Sequence, residues 1–231
     1  DRRVRLNLAG YYTKVDDVQR SAQVAQAAGL PPLTVVGNAA KLRIMGLEGE
    51  LTARLFDGFT LSATGSITRP KYLSYPELPS RTNLLGDRRS ERFDTTPRHT
   101  FSLTGQYERD IGIGELKLRA DYSWSDKVAT NSTTYFTGDP FLVTIDTNTG
   151  RGLTIAEEIY RASTSPAAGI LSGQIGMSFA DDMYEVTLFG RNLTNNRDVV
   201  LGLPVAGVNV VSQALREPRT YGITATIRFG S

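Results

Sequence analysis

The stretch "RPKYLSYPELPSRTNLLGDRRSERFD" sets Arg88, Arg89 and Arg92 a short way downstream of Tyr72 and Tyr75. Guanidinium forks bind paired oxygens and tyrosine rings stack on flat or sugar-like surfaces, so the combination fits an anionic or sugar ligand. The competing partners for the same arginines are Asp87, Glu91 and Asp94, or lipid phosphates. A second aromatic tip, "TTYFTGDPF", offers Tyr135 and Phe136 to a ligand or to a neighbouring loop. These residues form the candidate ligand-binding set.

Other chemistry is weaker. "DTNTGRGLTIAEE" puts Asp146, Asn148 and Glu157 at positions one, three and twelve of a calcium loop. Gly150 then occupies a ligand position and Arg151 the place where the turn needs glycine, so no metal or other cofactor is expected. His99 is the single histidine, and no Gly-x-Ser-x-Gly elbow surrounds any serine, which argues against a hydrolase. Cysteine is absent, removing disulfides and thiolate metal sites and suiting an oxidising compartment. A net charge of +2 over 231 residues gives no reason to expect nucleic acid. No apolar run approaches the ~18 residues of a helical membrane span. The chain opens at Asp1 without a leader, as a mature product or a fragment would.

The elements that must position these residues are strands. Alternation of apolar and polar residues predicts eight, over 2–14, 42–55, 59–72, 99–109, 115–128, 169–180, 183–195 and 219–229. In "ELKLRADYSWSD", Leu116, Leu118, Ala120, Tyr122 and Trp124 oppose Glu115, Lys117, Arg119, Asp121 and Ser123. In the closing strand Tyr221, Ile223, Ala225, Ile227 and Phe229 oppose Thr220, Gly222, Thr224, Thr226 and Arg228. Each strand is near the ~9–11 residues of a tilted bilayer crossing. Lumen-facing Glu48, Glu50, Arg54, Lys117, Arg119 and Asp121 are expected to form charge ladders between strands.

Connections alternate between tight turns around Asp57–Gly58, Asp110–Gly114 and Asp181–Asp182 and long segments at 15–41, 73–98, 129–168 and 196–218. A meander of this kind has turns at one end and loops at the other, as outer-membrane barrels do. Aromatics near both strand ends, Tyr12, Phe59, Tyr107, Tyr122, Trp124, Tyr184, Tyr221 and Phe229, read as lipid-interface belts. A soluble β-sandwich is the competing reading, and it would leave about half the chain in structureless connections.

"YEVTLFGRNLTNNRDVV" and "EPRTYGITATIRFGS" resemble the C-terminal end of the TonB-dependent outer-membrane receptors. "LNLAGYYTKVDDVQ" and "NAAKLRIMGLEGEL" resemble strands upstream in the same family. The resemblance implies an all-β, antiparallel transmembrane barrel with short periplasmic turns and long extracellular loops. Residues 1–231 would be the last third of about twenty-two strands around a plugged lumen. It further implies uptake of a scarce solute, such as a siderophore, vitamin or oligosaccharide, in the outer membrane of a Gram-negative bacterium. Its partners would be outer-membrane lipid, a plug domain and preceding strands, TonB through that plug, and barrel-insertion machinery reading the closing strand. No plug or TonB-contacting segment is read in 1–231, so transport by this segment alone is not expected, nor is enzymatic activity. The alternative is a free-standing eight-stranded barrel with a structural or adhesive role.

If the apolar face meets lipid, Leu118→Arg or Ile223→Arg should cost about 2–4 kcal/mol near the bilayer midplane and impair insertion. Arg119→Leu on the opposite face should be better tolerated. Equal insertion of both classes in a membrane-insertion assay would contradict the lipid-facing assignment.

Overall fold

The computed structural model describes residues 3–24, 33–75, 89, 92–130, 143–145, 152–154, 160–205 and 210–229. The strands are β1 (Val4–Val24), β2 (Leu33–Phe56), β3 (Phe59–Ser74), β4 (His99–Asp110), β5 (Glu115–Ser125), β6 (Val128–Ala129) and β7 (Val143–Ile145). They continue as β8 (Gly152–Thr154), β9 (Thr164–Ser165), β10 (Ala168–Phe179), β11 (Tyr184–Arg191), β12 (Val199–Val205), β13 (Val210–Leu215) and β14 (Thr220–Ile227). Eight of them make one antiparallel sheet in the order β1-β2-β3-β4-β5-β10-β11-β14. Three small two-stranded ladders, β6 with β9, β7 with β8 and β12 with β13, belong to the long connections. Among the described residues β1 and β14 do not pair with each other, so these eight strands form an open wall.

Register turns the alternation into two faces. Leu6, Leu51, Ala63, Leu103, Tyr122 and Leu171 lie side by side across six strands. A second row runs through Phe59, Tyr107, Leu118, Ile175, Leu188 and Ile223. This face is open: Leu8 is 76% and Ile223 67% exposed. Burying apolar side chains is the main driving force of folding in water, and a sandwich would have spent these rows on a core. Here the only buried hydrophobic cluster, Ala40, Leu42, Tyr72 and Tyr75 among the described residues, sits at the long-connection end.

The opposite face is polar and largely self-satisfied. The hydroxyls of Thr64 and Ser102, and of Ser66 and Thr100, share hydrogen bonds of 2.7 Å. Asn7 donates to Glu50 at 3.1 Å, and Thr104 donates to Asp121 at 2.8 Å. The charges do not form the expected ladder. Arg119 clamps Asp121 through two hydrogen bonds, of 2.8 and 2.7 Å, along β5, and Lys117 pairs with Glu115 at 3.2 Å on the same strand and with Asp182 of the β10–β11 turn at 3.9 Å. The reason lies in the register, because Arg119 stands between the neutral Gln106 and Gln174. Arg228 and Glu185, at 2.7 Å, do pair between neighbouring chain segments.

The three tight turns fall where the sequence puts them. Gly58 takes φ +81 in the β2–β3 turn, where a Cβ would come within 2.3 Å of the Glu108 carbonyl oxygen. The β10–β11 turn instead uses Ala180, Asp181 and Asp182 at φ 50, 51 and 66. Aspartate tolerates that region better than most residues.

Strand limits differ from expectation at the other end. The segment 15–41, read as a loop, extends β1 to 21 and β2 to 24 residues, paired from Val4↔Ala53 to Val24↔Leu33. Register shifts between Val15 and Val18 and between Val18 and Gln19, with Asp17 at φ 56, break the two-residue period and hide the continuation. The segment 196–218 likewise contains the β12–β13 hairpin. The strand expected over 183–195 stops at Arg191, and the one expected over 115–128 stops at Ser125.

Asn192 explains the first of these stops. It turns to φ 48 and is 6% exposed. Its amide nitrogen donates to the carbonyls of Asn196 and Glu217, both at 2.8 Å. Its amide oxygen accepts from the Asn196 N–H at 3.0 Å and the Thr194 hydroxyl at 3.2 Å. Leu193 folds back over Gly190, where a Cβ would lie 2.6 Å from the leucine methyl. The side chain thus ties the end of β11 to the approach to β14. Asn192→Ala leaves the Asn196 and Glu217 carbonyls without these donors and should lower stability by about 1–3 kcal/mol. An unchanged urea midpoint for the full-length protein in detergent micelles would show the latch to be dispensable.

Candidate functional site

The long-connection end gathers the candidate residues. Tyr72 stacks on Phe93 with ring centroids 4.2 Å apart and meets Tyr75 at 4.9 Å. At 1% and 3% exposure, Tyr72 and Tyr75 anchor the base of the β3–β4 connection. Arg92 donates to the Thr164 hydroxyl at 2.9 Å and the Ser163 hydroxyl at 3.2 Å, and its guanidinium lies 4.2 Å from the Tyr160 ring centroid. It therefore bridges the β3–β4 and β5–β10 connections. Arg89 is exposed and lines the same cleft. Arg88, Tyr135 and Phe136 lie outside the described residues, as do Asp146, Asn148 and Glu157.

The cleft holds about 500 Å³. Among the described residues Lys71, Arg89, Arg92, Arg98 and Lys127 line it together with Tyr72, Phe93, Tyr160 and the carboxylate of Asp126. That carboxyl is held below its ordinary pKa first by the hydrogen bond from His99, with the backbone N–H of Lys127 adding to it. Asp126 is therefore ionised at neutral pH. Walls of low dielectric carrying one sign of charge concentrate the opposite sign, and the described lining is predominantly cationic. Lys71, Arg98, Lys127 and Tyr160 were not singled out from sequence, since the end of β3 and the β3–β4 and β5–β10 connections are brought together only by the fold.

Buried side chains hold these connections in place. The Thr130 hydroxyl donates toward the Ser163 carbonyl at 3.0 Å and the Gly202 carbonyl at 3.1 Å, and accepts from the Gly202 N–H at 2.9 Å. Thr95 N–H donates to the Ala129 carbonyl at 2.8 Å. His99 puts Nδ1 3.2 Å from Asp126 Oδ2. No group of His, Asp and Glu among the described residues could hold a metal ion.

The belt candidates fall on the apolar face. Trp124 stacks with Phe101 at 5.6 Å near the long-connection end, and Tyr122 meets the same ring at 5.8 Å. Phe59 stacks with Phe56 at 4.9 Å near the tight turns, and Phe56 meets Tyr107 at 6.1 Å. Tyr12 lies in register with Met45, Tyr184 with Ile227 and Tyr221 with Gly190, while Phe229 follows just past β14 and is 87% exposed. Phe56 and Phe101 are members of these clusters that the sequence reading passed over. Tyr11 points to the polar face, where its hydroxyl meets that of Thr68 at 3.1 Å.

The geometry has close counterparts among solved structures. The ferric yersiniabactin uptake receptor FyuA from Yersinia pestis superposes with a TM-score of 0.64 at 19% identity, covering 100% of this chain and 28% of that one. The ferric-catecholate import receptor Fiu from E. coli gives 0.60 at 15% identity, over 99% and 26%. BauA, the ferric preacinetobactin receptor from Acinetobacter baumannii, gives 0.53 at 16%, over 96% and 26%. The chain thus spans about a quarter of the length of these receptors. Comparison with curated protein sequences gives no match. The family described as TonB dependent receptor-like, beta-barrel matches residues 1–193, and with the two-faced antiparallel wall it makes this chain a member of the TonB-dependent receptor β-barrel family, a family of receptors and transporters rather than enzymes.

Proposed function

We propose that this chain supplies wall and external connections to an outer-membrane receptor of a Gram-negative bacterium that takes up a scarce anionic solute, with a ferric siderophore as the first class to test. The observation that carries the reading is the cleft at the long-connection end, where the described residues include five cationic side chains and one carboxylate beside Tyr160 and Phe93. Such a site suits a carboxylate- or catecholate-bearing chelate better than a neutral vitamin or oligosaccharide. The names of the structural neighbours, receptors for ferric chelates, agree with that choice.

In this reading the apolar face meets lipid, and the polar face lines a lumen filled by a plug. The edges of β1 and β14 pair with further strands, because an unpaired edge is not tolerated in hydrocarbon. TonB acts through the plug, the closing strand with Phe229 engages the insertion machinery, and the segment alone transports nothing. Tyr72 and Tyr75 position the connection, whereas Arg89 and Arg98 meet the ligand. Arg88, Tyr135 and Phe136 are proposed as further ligand contacts.

The test uses the full-length receptor, with ferric yersiniabactin, a ferric catecholate and ferric citrate as probes. Arg89→Ala together with Arg98→Ala should raise the Kd for a bound chelate about tenfold, roughly 1.4 kcal/mol. Loss of the receptor should slow growth on that chelate under iron limitation. Unchanged affinity in the double variant, or binding of a neutral oligosaccharide in place of every chelate, would overturn the assignment.

A further inference from the structure

At the rim of the long connections the apolar face ends in cations. Register sets Lys14 opposite Arg43 and Arg43 opposite Lys71. One step nearer the wall, Tyr12 lies opposite Met45 and Met45 opposite Arg69. No register shift separates these positions from Leu8, Leu47 and Ile67, so the two-residue period puts all four cations on the apolar face. Lys14 stands 5.9 Å from the ring centroid of Tyr12, which marks where greasy surface gives way to polar.

The patch is unneutralised. Among the described residues no hydrogen bond or ion pair engages the side chains of Arg43, Arg69 or Lys71, and Asp16, the next acidic side chain along β1, pairs with Lys41 at 3.0 Å. Arg43 Nε is buried without an acceptor. A buried guanidinium N–H left unpaired costs about as much as a lost hydrogen bond, so an acceptor reaching Arg43 would be favoured. Position names the partner's class. Basic side chains just beyond a lipid-facing surface meet headgroups, and guanidinium with ammonium groups match phosphate oxygens.

We propose that Lys14, Arg43, Arg69 and Lys71 form a docking surface for the phosphates of an outer-leaflet lipid, seated against Tyr12 and Met45. The surface is separate from the anion cleft apart from Lys71, and it rests on the reading that the apolar face meets lipid. One patch on three adjacent strands would hold a lipid on the outside of the wall while the cleft handles solute at its mouth.

The test is native mass spectrometry of the full-length receptor in detergent micelles, with bisphosphorylated lipid A and its enzymatically dephosphorylated form as probes. The wild type should retain the phosphorylated lipid at least about tenfold better. Lys14→Gln with Arg43→Gln, neither of which lines the solute cleft, should bring the two forms to parity. Arg109→Gln, on the same face at the opposite rim, should leave the preference intact. Folding is checked by the gel shift between unheated and heated samples, with Lys14→Gln alone used if the double variant fails it. Equal retention of both lipids by the wild type, or an undiminished preference in the variant, would overturn the proposal. Displacement of lipid by equimolar inorganic phosphate would overturn it too, in favour of a free-anion site. Recovery of the receptor in a soluble fraction would sink the membrane reading itself, an outcome distinct from loss of selectivity within a membrane-bound protein.

Discussion

The wall depends on one constraint, a two-residue period kept in register through eight strands. A slip of one residue anywhere would send an apolar set to the polar face. The ladders from β3 through β14 contain no register shift, whereas β1 with β2 and β2 with β3 contain shifts only at Val15/Val18/Gln19, Lys41/Leu42 and Arg54/Phe56. Bulges are thus confined to places where the wall gives way to arm or turn. There the chain must twist, and the cost of flipping a face is absent.

The same constraint explains the polar face. Side chains pointing that way cannot be buried by packing against a second sheet, so they are chosen to satisfy one another. Short hydroxyls such as Thr64, Ser66, Thr100 and Ser102 bridge adjacent strands because serine and threonine reach only that far. The longer Arg119 folds back along β5 to Asp121, which in turn accepts from Thr104, so a single carboxylate serves both directions. At Gly222 a neighbour uses the room glycine leaves, since a Cβ there would come within 2.3 Å of the Phe189 ring.

Strand number, the three tight turns and the sidedness of Leu116 to Trp124 were legible because each depends on residues close in sequence. The arm formed by β1 and β2 was not, since Asp17 and the adjacent shifts scramble the alternation beyond Val15. The irregular start of β2 has another cause. Arg43 and Met45 keep the apolar phase, but with a cation where the pattern expects grease, so the phase is visible only once Lys14 and Lys71 are seen beside it. The cleft was half legible. Arg89 and Arg92 stand out in one arginine-rich run, while Arg98, Lys127 and Tyr160 acquire meaning only where the β3–β4 and β5–β10 connections meet.

That division bears on what the recognisable motif residues do. Gly190 to Thr194 is the most distinctive run in the chain, yet its atoms are spent on architecture. Gly190 admits Leu193, Asn192 caps two carbonyls from separate segments, and Thr194 donates to Gly169. Thr130, unremarkable in sequence, fastens three stretches of connection at once. A wall that must hold register can vary its mouth freely as long as such junctions stay fixed, because the cost of a changed loop is then local. The family signature therefore marks where loops are attached. In the proposed reading, solute choice belongs to the residues between attachments, where Arg89 and Arg98 stand on segments with no repeating pattern to announce them.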